Sequence, residues 1–167
     1  MFLRYIRNLV SGLIVAAVAG LGPAVADEID DAKSVVEKFY AAYIANDSAT
    51  LAGLFFPSAT GQYRTIIGYG IPDSVTKFTA TDAGGLGDAE IPEEYQQYMQ
   101  DYKEFDHVYK IRSAKKSEEN VRVEGRLTSK YTTSDYRGKN IQDDVFIITS
   151  QNGEPLILRY EGTGRFK

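Results

Sequence analysis

The chain has 167 residues, no cysteine, 19 basic and 23 acidic residues, and a formal net charge of −4. That length suits one domain with a real core, and the missing thiols exclude disulfides, CxxC redox pairs and thiolate zinc sites. An acidic chain with no basic stripe legible in its sequence is a poor candidate for nucleic acid or anionic lipid surfaces.

Arg4 and Arg7 precede an apolar run from Leu9 to Leu21, followed by Gly22-Pro23, the small residues Ala24-Val25-Ala26 and then Asp27-Glu28. A positive flank, an apolar core and a small-residue site are the order of a secretory signal. The expectation is cleavage after Ala26, with residues 1–26 as signal peptide and 27–167 as one exported domain, periplasmic or secreted. The rival reading is an uncleaved anchor, because Asn8–Ala26 is just long enough to span a bilayer.

Ile29 to Ala45 places Ile29, Ala32, Val36, Phe39, Tyr40 and Tyr43 at alternating threes and fours, which predicts a helix with one buried face. Asp47 or Ser48 is expected to cap a second, short helix that buries Leu51, Leu54 and Phe55 and stops at Pro57. Tyr63–Tyr69 reads as a strand. Residues 70–91, punctuated by Gly70, Pro72, Gly84, Gly85 and Gly87, read as a long loop, either a lid or a surface excursion. Pro92 to Phe105 reads as a helix with Tyr95, Tyr98, Met99, Tyr102 and Phe105 on one face. Four strands follow, at 107–114, 121–133, 141–150 and 156–162. Asn152-Gly153 marks a tight hairpin before the last. In the third of these strands Phe146 and Ile148 face one way and Val145 and Ile147 the other, so both faces need cover. Helices first and an antiparallel meander last indicate α+β.

Two segments resemble the NTF2-like superfamily, whose cystatin-like α+β cone occurs in ketosteroid isomerases, dehydratases and non-catalytic proteins. They are VVEKFYAAYIANDSATLAGLF near the start and DDVFIITSQNGEPLILRYEG near the end. The resemblance implies a curved, mostly antiparallel sheet packed on N-terminal helices around a chamber. It also implies where an isomerase site would lie. A gap-free match puts Phe39 at the position of the oxyanion-binding tyrosine and Tyr63 at that of the general-base aspartate. Phe39 donates no hydrogen bond and Tyr63 is a weak base, although Tyr40 and Tyr43 stand nearby as donors. The expectation leans away from an enzyme. It favours binding of a small apolar ligand or a protein partner, with Phe39, Tyr40, Tyr43, Tyr63, His107 and Tyr109 as pocket residues.

Other readings stay open beside that one. His107, the single histidine, shares a strand face with Phe105, Tyr109 and Ile111, and is a weak catalytic candidate with Asp143 or Glu161 in a dehydratase-like or isomerase-like enzyme. Asp143 and Asp144 are strand neighbours and point to opposite faces, with Asp144 expected in solvent and Asp143 at a strand end. No cofactor, metal or nucleic-acid partner is expected, nor a stable membrane anchor after cleavage. A homodimer through the sheet is expected from the two-faced strand. An envelope-complex assembly protein is the alternative should the N-terminal helix be retained.

Overall fold

The computed structural model describes residues 23–68, 70, 72–85 and 101–167. Residues 1–22 and 86–100 lie outside them. So does most of the expected signal and most of the helix expected from Pro92.

Helix α1 spans Pro23–Ala45. It therefore already includes Ala24-Val25-Ala26. Its buried stripe is Ala32, Val35, Val36, Phe39, Tyr40 and Ala42. Asn46, at φ 52, ends it, and Asp47 caps α2 (Ser48–Gly53) by accepting from the Thr50 amide. Contrary to expectation, α2 stops before Phe55, and Pro57 lies inside strand β1 (Phe55–Ile66). Pro57 is tolerated there because the pairing with the neighbouring strand is irregular between Phe55 and Thr60, so no ladder N–H is missed.

The expected loop of residues 70–91 is partly built. Strand β2 (Ser74–Thr79) pairs antiparallel with β1, and a 3-10 helix spans Ala80–Gly85. Asp82 opens that helix by accepting from the Thr79 amide and hydroxyl. Strand β3 (Lys103–Ser117) begins where the sequence reading still placed helix, so Lys103, Glu104 and Phe105 are extended. The remaining strands are β4 (Asn120–Thr132), β5 (Arg137–Gln151) and β6 (Glu154–Phe166). The β5–β6 hairpin turns at Asn152-Gly153 with φ 54 and 84, the doubly positive geometry of a type I′ turn.

The six strands form one sheet in the order β2-β1-β6-β5-β4-β3. Only the β1–β6 pair is parallel. Bulges in β3 and at Ile147–Ile148 bend the sheet, and it curves around α1, which packs against β3, β4 and β6. Lys116 on β3 pins the start of α1 through Glu28. On β5 every even-numbered residue from Asn140 to Ile148 is buried toward the helix. Phe39 sits at the centre of an aromatic cluster with Tyr40, Tyr43, Phe55, Phe146 and Tyr160. The expected α+β cone with a curved, mostly antiparallel sheet is what the chain adopts.

Candidate functional site

The inner face of the sheet carries a polar network beneath the aromatic core. Strand register sets Asp144 directly between Gly125 on β4 and Gly162 on β6. A Cβ at Gly125 would stand 2.2 Å from the Tyr40 hydroxyl, and one at Gly162 would stand 2.3 Å from the Tyr160 hydroxyl. The two glycines therefore leave room for two phenols to reach one carboxylate. Tyr40 donates to Asp144 Oδ2 at 2.8 Å and Tyr160 donates to Oδ1 at 2.7 Å. Gln142 Nε2 adds contacts of 3.1 and 3.2 Å, and its Oε1 accepts from Tyr63 at 3.0 Å.

The expectation of a solvated Asp144 is overturned: it is 1% exposed. Burial pushes its carboxyl up to about 6, against the lowering pull of the Tyr160, Tyr40 and Gln142 hydrogen bonds. The same burial, with the Asp144 charge, raises both phenols well above their ordinary range, so they stay protonated donors. Asp143, on the outer face in mid-strand, is held by Arg126, Arg165 and Arg112. Arg126 first, and then Arg165, keep its carboxyl low.

A second polar group lies farther along the same face. Glu104 on β3 accepts from the Ser129 hydroxyl, from Asn140 Nδ2 at 3.1 Å and from the Tyr102 hydroxyl at 2.8 Å. Burial, and after it the Glu104 charge, raises the Tyr102 phenol. Burial comes first for Tyr43 and Tyr63 as well, and both also feel the Glu104 and Asp144 charges. Asn140 is 6% exposed, and its Oδ1 is buried with no hydrogen-bond partner among the described residues. A buried acceptor left unpaired costs about 1–3 kcal/mol. Beside the cluster Tyr102 stacks on Tyr131, and Phe166 meets both edge-on.

The pocket residues expected from the sequence separate into two groups. Phe39 and Tyr40 are fully buried core. Tyr109, 40% exposed, stacks on Tyr40 at 5.1 Å and covers it from the β3 side. Tyr43 and Tyr63 are half-buried and border the two polar groups. His107 is half-buried and makes no side-chain hydrogen bond among the described residues. A bulge at Asp106 (φ 54) turns Phe105 outward, away from the face of Tyr109 and Ile111. Neither expected acid approaches His107: Asp143 is bound to arginines and Glu161 to Arg159. Sequence reasoning missed Glu104, Asn140 and Gln142, and the signal that would have found them is the strand register. Among the described residues no group of His, Asp and Glu could hold a metal ion. An open groove of about 440 Å³ lies elsewhere, between Phe78, Lys77 and Asp82 on one side and Arg159–Glu161 on the other.

No family model matches the sequence, and no curated protein matches it. Solved structures do. A conserved protein from Planctomyces limnophilus superposes with TM-score 0.56 at 14% identity, covering 85% of this chain and 98% of its own. An NTF2-like protein of unknown function from Shewanella baltica gives 0.55 at 12% identity over 83% and 94%. A ketosteroid isomerase-like protein from Erwinia carotovora atroseptica gives 0.54 at 14% identity over 83% and 96%. The chain has the NTF2-like, cystatin-like α+β fold.

Proposed function

We propose that this is an exported, non-catalytic domain of NTF2-like fold that holds a small, largely apolar ligand where Tyr43, Tyr63 and Tyr102 border Glu104 and Asn140. The observation that carries the reading is the buried Asn140 Oδ1, unpaired among the described residues, beside three half-buried phenol rings. A ligand with an apolar body and one hydroxyl or amide N–H would satisfy that acceptor while covering the rings. Asp144 supports a non-catalytic role, since its two oxygens already accept from two phenols and an amide. A base with its lone pairs occupied must break those bonds before it can take a proton.

The test begins with expression of the full chain and intact-mass measurement. Cleavage after Ala26 supports export, whereas retention of Met1–Ala26 in a membrane fraction favours an envelope-complex assembly protein. Native mass spectrometry of the recovered protein should then show a co-eluting small molecule that the Asn140→Leu variant loses. A ligand-free protein in both forms overturns the small-molecule reading.

A second reading is an isomerase-like or dehydratase-like enzyme on a lipophilic substrate, favoured by one observation. The Asp144 carboxyl, pushed up to about 6, is poised to exchange a proton near neutrality. Turnover of an enolisable ketone that vanishes in Asp144→Asn would establish it.

A further inference from the structure

We propose that one half of the outer sheet face docks reversibly on an anionic lipid surface. The register gathers there charges that the sequence scatters. Lys110, Arg126 and Asp143 form one cross-strand row, next to a row of Val108, Thr128, Ile141 and Arg165 and a third of Phe105, Lys130 and Lys139. Arg112 reaches into the first row through Asp143. Among the described residues, the six cations Lys110, Arg112, Arg126, Lys130, Lys139 and Arg165 share two carboxylates, Asp143 and Asp106. Four positive charges are left over on this face of an acidic chain. The other half of the face is less charged: its Arg122–Glu124 and Arg159–Glu161 pairs are internally balanced, and Lys115 opposite Arg122 adds one cation.

Apolar side chains accompany the charge. Phe105 is 43% and Val108 64% exposed on the same face, and Tyr136, 56% exposed, stands at the adjoining β4–β5 turn. Cations interleaved with an exposed aromatic and an exposed aliphatic suit a lipid interface, where headgroups meet the charge and the apolar groups enter the acyl boundary. The extent of the patch argues against a protein partner. Four strands and three rows cover roughly 300 Å², well short of the roughly 800 Å² per side of a stable protein interface. Electrostatic adsorption has no such minimum, because each cation near the surface adds its own attraction.

The test is vesicle co-sedimentation of the protein recovered from full-chain expression. Vesicles are phosphatidylcholine alone or with about 30% phosphatidylglycerol, at about 50 and about 300 mM NaCl. The wild type should partition at least about tenfold more strongly onto the anionic vesicles at low salt, and should lose that advantage at high salt. The Lys110→Glu, Lys130→Glu, Lys139→Glu triple variant should lose it at low salt, and Phe105→Ser with Val108→Ser should weaken it. Should the reversed variant not fold, Lys110→Gln with Lys139→Gln serves instead, its fold checked by circular dichroism. A retained N-terminal apolar run would bind vesicles at either salt and in every variant, so the salt and variant differences report this face alone. Three outcomes overturn the proposal: equal partitioning onto neutral vesicles, no effect of the charge changes, or retention only on polyglutamate or an oligonucleotide.

Discussion

Asp144 holds a charge that its surroundings penalise, and the sign of that penalty is measurable. Its carboxyl ionises at about 6 in the fold and at about 3.8 in the unfolded chain. Between those values the folded state binds the proton more tightly, so stability falls as pH rises through this window and is level above it. Asp144→Asn removes the titration. The stability of the wild type relative to that variant should therefore drop by roughly 2 kcal/mol between pH 4 and pH 7, read from urea midpoints. A constant difference would show that burial does not perturb the carboxyl. The neighbouring glycine is tested separately. Gly125→Ala puts a methyl 2.2 Å from the Tyr40 hydroxyl and should cost about 1–3 kcal/mol by overpacking. Adding Tyr40→Phe removes the clashing oxygen, so the double variant should be less destabilised than the two losses taken together. Alternation within β5 was enough to put Asp143 and Asp144 on opposite faces. It did not say which face was wet, because that depends on Gly125 and Gly162, each distant in sequence and opposite only through register. Acidic character alone argued for the wrong one.

The elements whose signals are local were legible. The α1 stripe, the Asp47 cap and the Asn152-Gly153 hairpin each follow from residues within a few positions of one another. The failures share a different property. Strand β1 is made by parallel pairing with β6, about a hundred residues later, and so absorbs Pro57, which reads as a helix end. Strand β2 is an edge strand with one buried residue, Phe78, whose ring lies over Gly61 where a Cβ would be only 2.1 Å away. The end of β1 shows in the sequence as the strand read from Tyr63, whereas residues 55–62 and β2 carry too little alternation to be seen alone. The hairpin gives a test at this scale. Gly153 has φ +84 and nothing near its would-be Cβ, so Gly153→Ala introduces backbone strain without a clash. It should lower stability by about 1 kcal/mol, visible as a fall in Tm of several degrees. An unchanged Tm would mean that the turn relaxes into another geometry at no cost.

At the scale of the whole molecule, net charge conceals an uneven distribution. Lys110 and Arg112 in β3, Arg122, Arg126 and Lys130 in β4, and Arg137 and Lys139 in β5 emerge on one face, while Asp27, Glu28, Asp30 and Asp31 lie together on α1. The absence of a basic stripe in the sequence was therefore no guide to the surface. This segregation bears on the homodimer expected through the sheet. Phe146 and Ile148 are buried against α1, so of the two-faced stretch Val145–Ile148 it is Val145 and Ile147, half-buried in the outer face, that remain to meet a second copy. They lie in the less charged half, and a two-fold axis through them parallel to the strands brings the two basic halves near one another across the contact. Repulsion then opposes what apolar burial favours. The Debye length shrinks from roughly 14 Å at 50 mM to about 4 Å at 500 mM salt, which removes the repulsion and leaves the apolar term intact. Dimerisation should accordingly strengthen with salt, whereas adsorption to anionic lipid should weaken. Sedimentation velocity at micromolar concentration, run at both salts, reads the first sign. Val145→Glu with Ile147→Glu should keep the protein monomeric throughout. A wild type that is monomeric at both salts rules out the sheet-mediated dimer and leaves the outer face free for lipid at any ionic strength.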